Sequence, residues 1–204
     1  MKFLKPIESQ PLEYYLQLEQ ELLSTIEEPT FFTWVVAPTV IYGRHQFREQ
    51  EIDEHYCAAH DIRIVQRQSG GGCVYADRGN LMISFVTPET HSEQVFKTFL
   101  MTVEKALIHN GLQAATTEHN DILIDGRKVS GWACFTSPKG TIVHGTMLYE
   151  VNLDALTRAI TPNQEKLNKH GVTSVRQRVA NIRAIKDFGS IDDFRELLEK
   201  SLNQ

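Results

Sequence analysis

Three consecutive glycines constrain this chain more than any other feature. Gly70, Gly71 and Gly72 follow Ser69 between two β-rich runs, 62–66 (IRIVQ) and 73–76 (CVYA). A strand would use such positions for side chains that pack; glycine instead permits positive φ and lets the backbone come close to a bound group. A loop of this kind can turn its N–H groups toward an anion, and Arg67 beside it favours a phosphate or a carboxylate. The spacing fits neither the Walker A nor the G-x-G-x-x-G pattern. From these residues alone, a plain turn is the commoner outcome.

The periodicity around the loop predicts a mixture of helices and strands. Residues 11–25 carry Leu12, Tyr15, Leu16, Glu19, Leu22 and Leu23 at helical spacing, with Pro11 suited to a first turn. Residues 31–36 and 39–43, parted by Ala37-Pro38, read as two strands around a turn, 48–60 as a helix, and 73–76 and 81–87 as strands. The longest amphipathic helix covers 91–110 and ends at Gly111. Strands follow at 120–124, 127–136 and 141–149, the first two joined by the hairpin signal Asp125-Gly126. The last 55 residues read as mainly helical, with a short strand near Val179–Ile182. This irregular order predicts an α/β (α+β) chain: one domain over residues 1–204, built on a mixed β-sheet flanked by helices.

Two further stretches carry groups suited to chemistry. A hairpin turning at Asp125-Gly126 brings Asp121 and Lys128 near one another on paired strands, although a solvated hairpin with surface charges accounts for the same residues. His144, in the run His144-Gly145-Thr146-Met147-Leu148, sits on a strand, ordinarily a structural place for a histidine. No spacing of the eight histidines makes a metal site. Cys57, Cys73 and Cys134 are odd in number and lack C-x-x-C spacing, which excludes a disulfide framework and a zinc knuckle. A net charge of −5 weighs against nucleic-acid binding. No apolar run is long enough to span a bilayer, and Met1–Pro6 lacks a signal-peptide core, so a cytoplasmic protein without membrane partners is expected.

Together these stretches resemble the lipoate-protein ligase A family of the biotin/lipoate ligase superfamily. Its pattern R-x-S-G-G-G-x-V-[FY] is met by Arg67 through Tyr75, and N-D-[hydrophobic]-x-x-[DN]-G-[RK]-K-[IV]-S-G by Asn120 through Gly131. H-G-T-[hydrophobic]-L is met by His144 through Leu148, and W-x-x-x-x-T-V-x-x-G-R-x-Q by Trp34, Thr39, Val40, Gly43, Arg44 and Gln46. Lys166-Leu167, Gly171, Thr173-Ser174-Val175, Arg178-Val179 and Asn181 match a final signature. The order of the five matches is the family's order.

The resemblance implies a biotin/lipoate ligase-like catalytic domain with a two-step reaction. Lipoate or octanoate attacks the α-phosphate of ATP, giving an acyl-AMP and pyrophosphate. A lysine of a lipoyl carrier, either an H protein or an E2 lipoyl domain, then displaces AMP. Lys128 is implied as the catalytic charge, and Asp121 as the ligand of Mg²⁺. Ser69, Gly70, Gly71 and Gly72 are implied to wrap the acyl chain and adenylate, with Cys73, Val74 and Tyr75 edging the adenine. Arg67 is implied to meet the carboxyl end or phosphate, and Trp34 and His144 to line the acyl tunnel. Asn120, Ser130, Gly131 and Gly145 complete the implied binding set.

The chain departs from the family pattern at Ala76, where many members carry histidine, at Trp132, where a small residue follows S-G, and at Val143. It also stops soon after the last signature, so a short member lacking the small C-terminal domain of long bacterial ligases is expected. A separate accessory subunit for the activation step is therefore a further expectation, with Trp132 as partial cover for the site. Two rivals stand beside the ligase reading. One is an ATP-independent octanoyltransferase, for which Cys134 is the available though unorthodox nucleophile; the other is a non-catalytic subunit that binds lipoyl-adenylate.

Overall fold

The computed structural model describes residues 1–160 and 179–203. The Lys166–Arg178 part of the last sequence signature lies outside the described residues. Among those described, the strands form two sheets. The larger has the order β1-β2-β6-β10-β9-β8-β7, and the smaller the order β4-β3-β5. In the larger sheet only β1 (Lys2–Phe3) and β2 (Thr30–Trp34) run parallel. Strands β6 (Asn80–Thr87), β10 (Gly140–Leu148), β9 (Arg127–Ser137), β8 (Asp121–Ile124) and β7 (Ala114–Thr116) extend it antiparallel. In the smaller sheet, β3 (Thr39–Tyr42) pairs parallel with β4 (Arg63–Gln66) and antiparallel with β5 (Val74–Ala76). The expected mixed sheet is present.

Every residue of β2, β6 and β10 is buried, because these central strands are covered on both faces. One face carries α4 (Ser92–His109) and the last helix, α7 (Ile191–Leu202). Phe99, Leu100, Val103 and Leu107 of α4, with Phe194 and Leu198 of α7, meet Phe31, Leu81, Ile83, Val143 and Trp132 there in one apolar cluster. A fully buried side chain of this size contributes about 1.5–3 kcal/mol. The other face carries α1 (Leu12–Thr25), whose Leu12 and Tyr15 pack on Phe32, Trp34 and Met82 together with Ile41 of the smaller sheet.

Several local expectations required correction. The runs 31–36 and 39–43 do hold strands, but β2 and β3 belong to different sheets, and the chain crosses between them through Ala37-Pro38. The helix expected over 48–60 is two short ones, α2 (Arg48–Glu51) and α3 (Glu54–Ala59). They part where Ile52 bridges Ile160 and the Asp53 side chain accepts from the Tyr56 N–H, which starts α3 as a cap does. The expected strand near Val179 is a single parallel bridge to Lys128, followed by a helical turn, α6 (Ile182–Ile185), after α5 (Leu153–Ala159). Strands β1 and β7, two and three residues long, carry too little periodicity to be foreseen.

The hairpin of β8 and β9 turns as predicted. Asp125 and Gly126 take φ of 52° and 73°, the pair of positive values a two-residue hairpin turn of matching twist demands. Pairing then skips a residue, from Leu123 opposite Lys128 to Ile122 opposite Ser130. Val129 is the extra residue of a β-bulge, and both Val129 and Ser130 are fully buried.

Candidate active site

A cleft of about 230 Å³ opens on the α1 side of the large sheet. Alternation along the strands sends Asp121, Lys128, Gly131, His144 and Thr146 toward it, while Trp132 and Val143 enter the cluster beneath α4. Its inner end is apolar, formed by Leu12, Leu16, Trp34, Ile41 and Met82. Gly71, Gly72, Cys73 and Val74 form a rim. Asn120 and His119 come from the turn before β8. A larger cavity of about 960 Å³, between the N-terminal segment and α7, contains neither glycine-loop nor hairpin residues.

Lys128 Nζ lies 2.7 Å from Asp121 Oδ1, with both side chains partly open to solvent. Gly131, opposite Asp121 in the register, leaves them room: a Cβ there would stand 3.3 Å from Lys128 Nζ. Asp121 is presented by a local turn in which Thr117 Oγ1 accepts from the N–H groups of His119 and Asp121. Asn120 takes φ of 63° and its carbonyl accepts from Trp132 N–H; asparagine tolerates that left-handed conformation better than most residues.

The glycine loop is held from inside by Arg67, which is 6% exposed. Its Nε donates to Ser69 Oγ and one terminal nitrogen to the Ile41 carbonyl, while the other reaches the carbonyls of both Gly70 and Gly72 at 2.7 Å. Of the five N–H donors on a guanidinium, three are thus committed to the loop and a fourth to Ile41 of β3. Burial pushes its pKa down. Arg67 lines the cleft, with its donors directed to the loop and to β3. Gly71 has φ of 88°, and a Cβ on Gly43 would collide with the Gly71 carbonyl at 2.3 Å, so the two glycines let the loop lie against β3.

Of the other expected residues, Trp34, His144 and Gly145 line the cleft, and Ser69 and Gly70 lie in the loop behind its rim. Tyr75 and Ser130 do not line it. Tyr75 alternates into the cluster with Val40, Ile52 and Cys57, where burial raises its pKa. Ser130 is turned by the bulge toward the α4 side, and its hydroxyl has no partner among the described residues. Trp132 is 7% exposed and contributes to the cleft lining, but its ring meets Phe99 edge to face in the core beneath α4. Its ring occupies the space beside Gly145, where a Cβ would come within 2.2 Å of it.

One group escaped the sequence reading. Glu19 sits on α1 among apolar neighbours, is 2% exposed, and lies 3.0 Å through each carboxylate oxygen from His144 Nδ1. The detectable signal was a carboxylate placed on the apolar stripe of the helix, where an unpaired charge is costly.

A model of the lipoyl protein ligase A/B catalytic domain matches residues 11–203. The chain belongs to this family. Among lipoate ligases, it is 35% identical over 191 residues to lipoate–protein ligase 1 of Staphylococcus aureus, covering 92% of this chain and 58% of that one. It is 36% identical over 174 residues to lipoate-protein ligase LplJ of Bacillus subtilis, covering 84% and 53%. The chain therefore spans a little over half the length of these curated relatives. In three dimensions it resembles a bi-partite archaeal lipoate protein ligase of Thermoplasma acidophilum, described with its E2 lipoyl domain, at a TM-score of 0.85 and 27% identity. That match covers 100% of this chain and 83% of the other. A lipoate-protein ligase A bound with ATP superposes at a TM-score of 0.84 and 25% identity, covering 100% and 85%. The lipoate ligase fold is therefore present as expected. No described helix is long and apolar enough to cross a membrane.

Proposed function

We propose that this chain activates lipoate or octanoate with ATP and passes the acyl group to a lysine of a lipoyl carrier protein. The observation that carries the reading is the shared cleft: Lys128, Asp121, Gly71 and Gly72 line the same cavity as the apolar Leu12, Leu16, Trp34, Ile41 and Met82. The apolar end suits a C8 chain, at about 0.8 kcal/mol per buried CH₂. In the first step a carboxylate oxygen of the acid bonds to the α-phosphorus, and the bond to pyrophosphate breaks. In the second, the carrier amine bonds to the acyl carbon, AMP leaves, and the amine loses a proton. Both transition states gather negative charge on oxygen, so a fixed cation is the main requirement. Lys128 supplies that cation, and Asp121 keeps it in place between turnovers.

Asp121 is also the proposed contact for magnesium arriving with ATP. Among the described residues, no group of three or more His, Cys, Asp or Glu forms a metal cage; one carboxylate plus substrate phosphates is an ordinary magnesium environment. Bound there, the metal would neutralise phosphate charge. The thioester route of a transferase is disfavoured because Cys134 shares the α4 face with Trp132, away from His144, and burial raises its thiol pKa.

The test is pyrophosphate release from ATP with magnesium and lipoate or octanoate, followed by acyl transfer to apo H protein or an E2 lipoyl domain. A ligase gives both signals. Transfer without pyrophosphate would establish a transferase, and binding without either signal a scaffold. A separate accessory subunit, an idea supported by the bi-partite archaeal relative, is tested by adding cell extract. Transfer from preformed lipoyl-AMP is expected to proceed in the purified chain, while adenylate formation rises on addition.

A further inference from the structure

A buried run of hydrogen bonds links α1 to the glycine loop across the large sheet. Glu19 accepts from Ser84 Oγ at 2.6 Å, and Ser84 Oγ accepts from Trp34 Nε1 at 2.9 Å. His144 Nδ1 stands 3.0 Å from both Glu19 oxygens, and His144 Nε2 stands 2.6 Å from Ser69 Oγ. Ser69 Oγ accepts from Arg67 Nε at 3.0 Å, and Arg67 holds the carbonyls of Gly70 and Gly72.

Proton accounting gives this run a direction. Trp34 only donates, Arg67 only donates, and an ionised carboxylate only accepts. Glu19 therefore takes the Ser84 hydroxyl proton and a proton from His144 Nδ1. With Nδ1 protonated and Nε2 bare, the Ser69 hydroxyl can donate to Nε2 while accepting from Arg67, and every group in the run is satisfied. A proton on Nε2 would leave the Ser69 hydrogen without an acceptor in a site 2% exposed. The order Ser–His–Glu is that of a hydrolytic triad, but a buried serine oxygen already held by Arg67 orients a loop and does not attack a substrate.

We propose that Glu19 is a positioning residue: by fixing the tautomer of His144 it fixes Ser69, Arg67 and hence the shape of the Gly70–Gly72 loop that receives the adenylate. The last step rests on the reading of the cleft under the preceding heading; the tautomer and the loop shape do not. Ser84 donates to the Oε1 position, which holds a glutamine amide oxygen there and puts the NH₂ group where Oε2 stood, 3.0 Å from Nδ1, with the Nδ1 lone pair as its acceptor. Glu19→Gln therefore favours the proton on Nε2, which turns Ser69 and disturbs the loop.

The experiment is ¹⁵N NMR of histidine-labelled protein, with the His144 signal assigned by a His144→Asn variant and the Gly70–Gly72 amide signals followed alongside. The Nδ1–H tautomer is expected in the wild type and in Ser69→Ala and Ser84→Ala, which leave the Glu19 contact in place. Glu19→Gln is expected to show the Nε2–H tautomer, shifted glycine amides, and kcat/KM for pyrophosphate release reduced about 10- to 100-fold, as displacement of a binding loop produces. An Nε2–H tautomer in the wild type overturns the proposal, even should the Gln variant not fold. A Ser69→Ala variant that loses the Nδ1–H form also overturns it, because Ser69 would then be setting the tautomer. So do unmoved glycine amides in a folded Glu19→Gln protein. A wild type that shows the tautomer and loop coupling but releases no pyrophosphate refutes the ligase reading alone.

Discussion

Lys128 and Asp121 hold each other across the β8–β9 hairpin at 2.7 Å, one residue before a bulge that turns the following side chains to the other face. The pair is partly solvated, and such pairs contribute about 0–1 kcal/mol to folding. Its significance lies in the placement of a cation at the mouth of the cleft.

Replacing Lys128 with Ala is therefore expected to leave thermal stability nearly unchanged and to lower both half-reactions roughly 10²- to 10⁴-fold, the usual loss when fixed charge stabilisation is removed. Transfer from synthetic lipoyl-AMP isolates the second half-reaction. A variant retaining more than about a tenth of wild-type transfer would refute the assignment of Lys128.

Arg67→Lys keeps the charge but not the planar fork. A single ammonium cannot reach Ser69 Oγ and the carbonyls of Ile41, Gly70 and Gly72 together, and each buried group left without a donor costs about 1–3 kcal/mol. Chemical denaturation should show a clear loss of stability alongside weakened adenylate binding. Full stability with binding alone impaired would mean that Arg67 acts on the ligand and not on the loop.

Gly145→Ala puts a methyl group into the Trp132 ring. Overpacking of this kind costs about 1–3 kcal/mol, visible as a lowered Tm. Pairing the change with Trp132→Leu should recover part of the loss, and additivity of the two would show that the contact is not the cause.

Burial pushes the Cys73 thiol up to about 12 from an ordinary 9.0. At pH 8 iodoacetamide should alkylate native Cys73 roughly a thousandfold more slowly than the unfolded chain, in proportion to thiolate. Because the folded state holds this proton more tightly, the stability it contributes is complete below pH 9 and is lost as pH rises from about 9 to about 12. Rapid labelling of folded protein at pH 8 would show that this half-buried thiol is not shielded from water in the way its raised pKa requires.

The sequence made the hairpin and the long helix legible because each follows local rules: two residues at positive φ in one case, a single apolar stripe in the other. The convergence of Lys128, Asp121 and the glycine rim was legible through the ordered motifs. Other features depend on distant parts of the chain. Arg67 is anchored in part by the Ile41 carbonyl, 26 residues away. The burial of Glu19 needs His144, 125 residues away. Ser130 was assigned to the cleft through its place in the motif, and one extra residue, Val129, turns it to the other face.

That extra residue also bears on how this chain can vary in length. From Gly131 to Cys134, neighbouring side chains answer alternately to two separate demands, the shape of the cleft and the packing of α4, so substitutions on one parity can accumulate without disturbing the other. A deletion at Val129 leaves the two demands apart. It removes only the unpaired residue, so Lys128 stays opposite Leu123, Ser130 opposite Ile122 and Gly131 opposite Asp121 in regular pairing. Loss of a single codon here would be easier to absorb than loss of one between Gly131 and Cys134, which would exchange the two faces, whereas the two-residue turn at Asp125-Gly126 fixes only where the strands reverse.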